Sequence, residues 1–489
     1  MLDILALVFT LIAFAGFTAR RLITYLHIFQ QEEYDGPRFL HWLFARRVFD
    51  KKASALLFLC GLLWFFGLPS FIISFVTVIS FVMFTVIEKD PRKDSKKKLA
   101  MTDRAKRVFF ASLAFCLLPI GLFVLMPMPW VWIIGVQAVP FLLVLGNLSL
   151  QPYEDAVQNR FWKEAHEKLI TLSPTVIGIT GSYGKTSVKH ILAHILASAA
   201  PTLATPGSVN TPMGISRIIR EQLDERIKYF IVEMGAYGPG SIARLCKLAP
   251  PNHGIITAIG HAHYERFKSL EAVAETKFEL AQSALSREGK VIAHEKTFKF
   301  NTSSDMRTNH PDSFIVCGSE GAVDLKVVDI KQKSDGLEIK TLWGEKSSTL
   351  KIPLFGLHHG MNAAMAYAMA VTLGLDPDDV RIALKSTPQI PHRLEVKKTP
   401  KGSLIIDDAY NSNPAGFYSA LDLLDFIGAK KRSILITPGI VELGKAHDEV
   451  HRQVGEYAAG KCDICLVVQP DRIPTFVTGF EMPGARPSF

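Results

Sequence analysis

For its first 150 residues the chain is built from long apolar runs separated by short charged ones, after which its texture changes. Leu2 to Ala19 is apolar apart from Asp3 and is closed by Arg20-Arg21. Ala53 to Ile87 is a second apolar stretch, broken at Gly67-Leu68-Pro69-Ser70, and Phe109 to Leu148 is a third, broken near Pro127-Met128-Pro129-Trp130. Crossing the bilayer core takes roughly 20 apolar residues, so the first run predicts one span and each broken run a tight hairpin, about five helices within residues 1–150. Beyond Gln151 the apolar runs shorten to strand length and alternate with helix-like stretches, the pattern of an α/β protein with a parallel sheet. The run from Thr175, the run from Phe230 to Glu233 and the run from Gly254 to near His261 and His263 read as buried strands, and Ser269 to Ser283 as a helix.

Charge placement orients the apolar part. Basic residues stand at Arg20-Arg21, Arg46-Arg47 and Lys51-Lys52, then crowd between Lys89 and Arg107. Basic loops beside spans belong on the cytoplasmic side, next to anionic headgroups. The expectation is a multi-pass protein of the cytoplasmic membrane, N-terminus outside, with everything after Leu150 in the cytoplasm. The formal net charge of +9 is explained by this loop and argues against a nucleic-acid partner. Charges that follow the first apolar run, rather than precede it, also argue against a cleaved signal peptide. Gln30 to Asp35 reads as a solvated acidic face, with a juxtamembrane helix that meets a substrate headgroup as the alternative. The six cysteines are scattered, and Cys462 and Cys465 lie in an apolar strand-like stretch, so they are expected to be core residues rather than a metal or redox pair.

Chemistry enters at Gly181-Ser182-Tyr183-Gly184-Lys185-Thr186-Ser187, which follows a strand and opens a helix. Bare backbone N–H groups at the glycines wrap phosphate oxygens, Lys185 adds a point charge, Thr186 offers a hydroxyl to Mg²⁺, and the helix directs its positive end at the anion. The spacing is shorter than the general phosphate loop, because Ile179 occupies the place of its first glycine. Downstream, Glu233 ends one strand and His261 and His263 follow another, while Lys277 lies on the helix after them. Ligands collect at the carboxyl ends of parallel strands, so Glu233 and His263 are expected to converge on a divalent cation near the loop.

From about Thr171 to Leu466 these residues, in this order, resemble the Mur ligase family, most closely the branch that adds D-Ala-D-Ala to a muramoyl peptide. The loop at Gly181–Ser187 is similar to that family's phosphate loop, and Glu233 and His263 fall where its magnesium ligands lie. Lys277 matches the lysine the family carbamylates, and a carbamate presents the hard oxygens that Mg²⁺ prefers. The stretch Gly356 to Ala364 resembles an adenine-associated signature, with Asn362 in place and His359 where an Asn is usual. Arg393 matches a phosphate-contacting arginine, Asp407 an acidic loop that holds ribose, Asn411 and Asn413 its neighbours, and Glu442 to His451 an element of the last domain. Ser208 departs from the family in the Thr205–Thr211 loop, where an Asn is usual.

The apolar runs predict an α-helical transmembrane region over 1–150, where the family has a soluble domain, and the resemblance implies α/β after it: a P-loop-type parallel-sheet ATPase domain over 151–388 and a C-terminal Rossmann-like α/β domain over 389–489, shortened against the family's. It implies Lys185, Lys277 and His263 as catalytic residues. Thr186, Glu233, His263 and Lys277 become metal ligands, and Gly181 to Ser187 with Asn362, Arg393 and Asp407 hold nucleotide. The implied cofactors are ATP and Mg²⁺. The implied partners are a cell-wall peptide precursor, soluble or lipid-linked, an amino acid or dipeptide donor, and membrane lipids. The implied reaction is ATP-dependent amide-bond formation through an acyl phosphate. A membrane ligase that builds poly-γ-glutamate, and a nucleotide-sensing scaffold without catalysis, remain as alternatives.

Overall fold

The computed structural model describes residues 2–94, 98–118, 129–260, 267, 269–409, 413–428, 432–441 and 443–481. The chain divides into two compact units, Met1–Arg160 and Phe161–Phe489.

The first unit is helical: α1 (Leu2–Gln31), α2 (Gly36–Ala45), α3 (Lys51–Phe65), α4 (Ser70–Ile87), α5 (Asp103–Leu117) and the start of α6 (Pro129–Leu172), which crosses the unit boundary. The break between α3 and α4 falls at the predicted Gly67–Pro69 turn. Two details go beyond the apolar pattern. The first helix does not end at Arg20-Arg21 but runs on to Gln31, because both arginines find partners there: Arg21 Nε bonds Asp50 at 2.8 Å and Arg20 Nη1 bonds Asp90 at 3.0 Å. In the acidic segment, Gln30 and Gln31 end α1 and the remainder forms the turn before α2, with Glu33 and Tyr34 at positive φ and Asp35 capping Arg38 N. Three helical stretches are long and apolar enough to cross a membrane, Leu5–Gln31, Ser70–Ile87 and Trp130–Leu172.

The second unit is built on a nine-stranded sheet in the order β2-β3-β1-β4-β5-β6-β7-β8-β9. The strands are β1 (Thr175–Thr180), β2 (Thr202–Ala204), β3 (Tyr229–Glu233), β4 (His253–Ile256), β5 (Val291–His294), β6 (Phe314–Gly318), β7 (Leu325–Lys333), β8 (Gly336–Trp343) and β9 (Lys346–Ile352). The first seven strands pair in parallel, and β8 and β9 turn back antiparallel, so the sheet is mixed rather than all-parallel. One face is covered by α7 (Lys185–Ala197). Its Val188, Ile191, Leu192, Ile195 and Leu196 recur at helical spacing and are fully buried. The other face carries α8 (Pro212–Gln222), α9 (Ser241–Leu248) and α10 (Leu270–Leu285). Beyond α11 (Asn301–Asn309), the alanine-rich α12 (His358–Thr372) joins α7 on the first face, where small side chains allow close approach, and α13 (Pro377–Lys385) follows.

Residues after 389 form two small pairs, antiparallel β10 (Glu395–Lys398) with β11 (Leu404–Asp407) and parallel β12 (Ile434–Thr437) with β13 (Ile464–Val467). Helices α14 (Pro414–Gly428), α15 (His447–Ala459) and α16 (Pro474–Phe480) pack around Leu421, Val454, Ala458 and Phe476. Cys462 is buried in this region and Cys465 is partly buried; neither is in a disulfide among the described residues.

Candidate functional site

The parallel register sets the site. Pairing of Ile179 with Glu233 and of Thr180 with Ile256 aligns the carboxyl ends of β3, β1 and β4, and the chain leaves β1 directly into the glycine loop. Gly181 and Gly184 both have positive φ, +152° and +84°. Neither position has room for a side chain: a Cβ on Gly181 would run into Thr257 Oγ1, and one on Gly184 would lie 2.7 Å from Asn362 Oδ1. The loop is held from the β4 side, with Ser182 N donating to Ala258 O at 2.7 Å and Ser182 Oγ to Gly260 O at 3.0 Å. Thr257 Oγ1 donates to Tyr183 O, and Tyr183 itself is half-exposed with its ring against Gly260. No side chain caps the start of α7, so its first amides are left for an anion. Lys185 Nζ folds back onto Gly181 O at 2.7 Å, and burial lowers its pKa.

Glu233 is fully buried and its carboxylate is shared. Oε2 accepts from Thr186 Oγ1 at 3.0 Å and from Lys189 Nζ at 2.8 Å, while Oε1 accepts from Asn210 Nδ2 at 3.2 Å. Lys277, on α10, is only 4% exposed and makes no hydrogen bond or ion pair among the described residues. Burial first, and the charge of Lys185 second, bring its pKa down to about 7. Lys185, Lys277, Asn210, Tyr237 and Gly181 line one small hollow of about 20 Å³. A carboxylate and a hydroxyl are the hard oxygen donors that suit Mg²⁺, whereas the amine of Lys277 suits it poorly. The residues present therefore fit such a cation. His263 lies outside the described residues.

From farther along the chain, Arg393 Nη2 lies 3.5 Å from Thr186 Oγ1. It is delivered by two left-handed residues on either side, His392 (φ +59°) and Leu394 (φ +48°). Asn362 is buried against Gly184. Its neighbour His359 is fully buried with neither ring nitrogen hydrogen-bonded among the described residues, and burial holds it neutral. Ser187 is buried on α7.

Asp407 is not joined to this group by any described contact. It bonds Lys397 Nζ and His392 Nδ1, each at 2.8 Å, and the lysine holds its pKa down to about 2. The adjacent Asp408 is the one tied to the arginine segment, accepting from Leu394 N at 3.2 Å, and burial pushes its pKa up to about 6. His392, Glu395 and Asp407 offer ligand atoms within 4.8 Å of one another, but Lys397 already bridges the two carboxylates. Asn411 and Glu442 lie outside the described residues. His451 is buried, Nδ1 donating to His447 O at 2.7 Å and Nε2 accepting from Ile440 N at 3.0 Å, a fully satisfied core histidine.

Sequence reasoning missed Lys189 and Tyr237, whereas Asn210 lies in the Thr205–Thr211 loop already singled out. For Lys189 a signal was present: it follows Lys185 by four residues in a predicted helix, which puts both on one face.

Residues 179–370 match the Mur ligase middle domain, and residues 392–482 match the Mur ligase glutamate ligase domain. UDP-N-acetylmuramoyl-tripeptide--D-alanyl-D-alanine ligase of Mycobacterium bovis is 31% identical over 312 residues, 62% of this chain and 59% of the relative. The ligase of the same name from Bacillus subtilis is 29% identical over 309 residues, 63% of each. The chain thus spans about 60% of the length of these relatives. Among solved structures, MurF from Acinetobacter baumannii superposes with a TM-score of 0.58 at 25% identity, covering 66% of this chain and 69% of that one. MurF from Thermotoga maritima in complex with ADP superposes with a TM-score of 0.56 at 28% identity, covering 65% and 72%.

Proposed function

The chain belongs to the Mur ligase family, and from that premise we propose that it is a MurF-like, ATP-dependent, ADP-forming amide-bond ligase of cell-wall peptide synthesis. The observation that carries this reading is the meeting of Lys185, Lys277 and the Glu233–Thr186 pair at the carboxyl ends of parallel strands, beside an uncapped helix start. In the proposed reaction an acceptor carboxylate takes the γ-phosphoryl group of ATP to give an acyl phosphate and ADP. An amine then displaces phosphate to leave the amide. The amides of Gly181 to Lys185 cradle the phosphates and Lys185 stabilises the charge spread over the transferring group. Thr186, Glu233 and Lys277 as its carbamate would hold Mg²⁺, which would neutralise phosphate charge. A pKa near 7 supports that role for Lys277, because only the neutral amine reacts with CO₂. Arg393 brings a further cation to the same hydroxyl from the glutamate ligase domain, and Asn362 flanks the loop where a base would sit.

The donor of this reading is D-Ala-D-Ala and the acceptor a muramoyl peptide, by analogy with the reaction named for the relatives. We further propose that the first unit anchors the chain in the cytoplasmic membrane, with catalysis on the cytoplasmic side and a lipid-linked acceptor. In support, α3, its C-cap Phe66 and α4 expose Phe65, Phe66, Phe75, Val86 and Ile87, each more than 60% accessible, which suits hydrocarbon rather than water. Tethering would raise the local concentration of a bilayer-bound acceptor.

The test is product analysis. Full-length protein in lipid nanodiscs is given ATP, Mg²⁺ and labelled D-Ala-D-Ala or L-Glu, with soluble or polyprenyl-linked muramoyl peptide, and amide and phosphate are measured. Amide formation with D-Ala-D-Ala is expected. Elongation with L-Glu alone would instead identify a polyglutamate ligase, and equal use of both acceptors would remove the lipid-linked proposal.

A further inference from the structure

Lys189 brings a second ammonium to the site, one helical turn beyond Lys185. It is 4% exposed, and its Nζ donates both to Glu233 Oε2 at 2.8 Å and to Gly207 O at 2.5 Å. Gly207 belongs to the loop 205–210, which grips the same strand end twice more. Thr205 Oγ1 accepts from Glu233 N at 3.1 Å, and Asn210 Nδ2 donates to Glu233 Oε1 at 3.2 Å. Tyr237 in turn donates its hydroxyl to Asn210 Oδ1 at 2.8 Å. Gly235 allows this closure, since a Cβ there would lie 2.7 Å from the Tyr237 ring and 2.9 Å from Asn210. A buried ion pair contributes little to stability beyond what an apolar pair of equal volume would. What it does supply is orientation: a carboxylate free to rotate about its last bond is fixed here by donors on both oxygens.

We propose that Lys189 is a positioning residue for the metal-binding carboxylate, holding Glu233 Oε2 beside Thr186 and locking the 205–210 loop to the same group. This rests on the reading of Thr186 and Glu233 as cation ligands. Lys189 does not itself touch the cation or the reacting atoms. It acts through Glu233, as the partners behind metal ligands do.

Mn²⁺ binding to the full-length protein, followed by electron paramagnetic resonance at one fixed pH, separates this from a purely structural role. Lys189→Met is expected to weaken Mn²⁺ binding by about 10- to 100-fold, the usual loss when such a partner is removed. Amide hydrogen exchange in 205–210 is expected to rise with it. Lys189→Gln, which keeps donors and nearly the same volume, is expected to show a smaller loss in the same direction and guards against misfolding of the methionine variant. Wild-type-like or tighter Mn²⁺ binding in either folded variant overturns the proposal. Glu233→Gln is the control for the site itself. If it binds Mn²⁺ as the wild type does, the metal reading fails first; if it loses the ion while the Lys189 variants keep it, only the inference about Lys189 fails.

Discussion

Lys277 shows what burial does to one side chain. Its amine sits in the interior with a second lysine nearby, and both effects favour the neutral form, giving a pKa near 7 against an ordinary 10.5. In CO₂-free buffer the native state binds fewer protons than the unfolded chain between those values, so this residue's penalty is complete below pH 7 and fades as pH rises towards 10.5. Lys277→Met should therefore be more stable than the wild type in urea at neutral pH, with the gap closing as pH approaches 10. With ¹³C-bicarbonate present, a carbamate resonance should grow as pH passes upward through 7 and be absent from the variant. A resonance that ignores pH, or persists without Lys277, would remove the carbamate from the proposed mechanism. Other residues were less legible. Asp407 stands out in the sequence beside Asp408, but only the fold reveals that Lys397 and His392 engage the first while the second supports the arginine segment.

At the scale of elements, the glycine loop after β1 keeps its shape because two glycines accept backbone angles that other residues resist. Gly184→Ala should cost about 1–2 kcal/mol from the left-handed φ alone. The added methyl would also press on Asn362, so nucleotide affinity should fall with stability, measured by calorimetry with ADP. Helix α10 has two duties. It carries Lys277 inward, and two residues later Glu279 caps α9, accepting from Gly240 N at 2.8 Å and Ala243 N at 2.7 Å. Removing that cap by Glu279→Ala should lower unfolding stability by about 1–2 kcal/mol. The strand–loop–helix order around Lys185 was readable because each step has a local signature: an apolar run, two glycines, then helical spacing. Helix α2 was not, because ten residues between two long apolar runs read equally well as a connecting loop. Nor was the antiparallel end of the sheet, since strand direction depends on how the β7–β8 and β8–β9 turns fold back, not on apolar content.

At the scale of the whole molecule, the apolar helices predict that full-length protein sediments with membranes and resists carbonate extraction. Release by carbonate would count against the proposed anchoring. Apolar periodicity and glycine placement act over a few residues, and so the sequence alone determined the helical first part, the α/β second part and the glycine loop between β1 and α7. It also determined the order of Glu233 and Lys277 behind that loop. Which groups share a charge is decided by atoms that meet from distant positions, and no local pattern encodes those meetings. Only the tertiary structure brought Lys189 to Glu233 across 44 positions, Arg21 to Glu88 across 67, and Arg393 to Thr186 across 207.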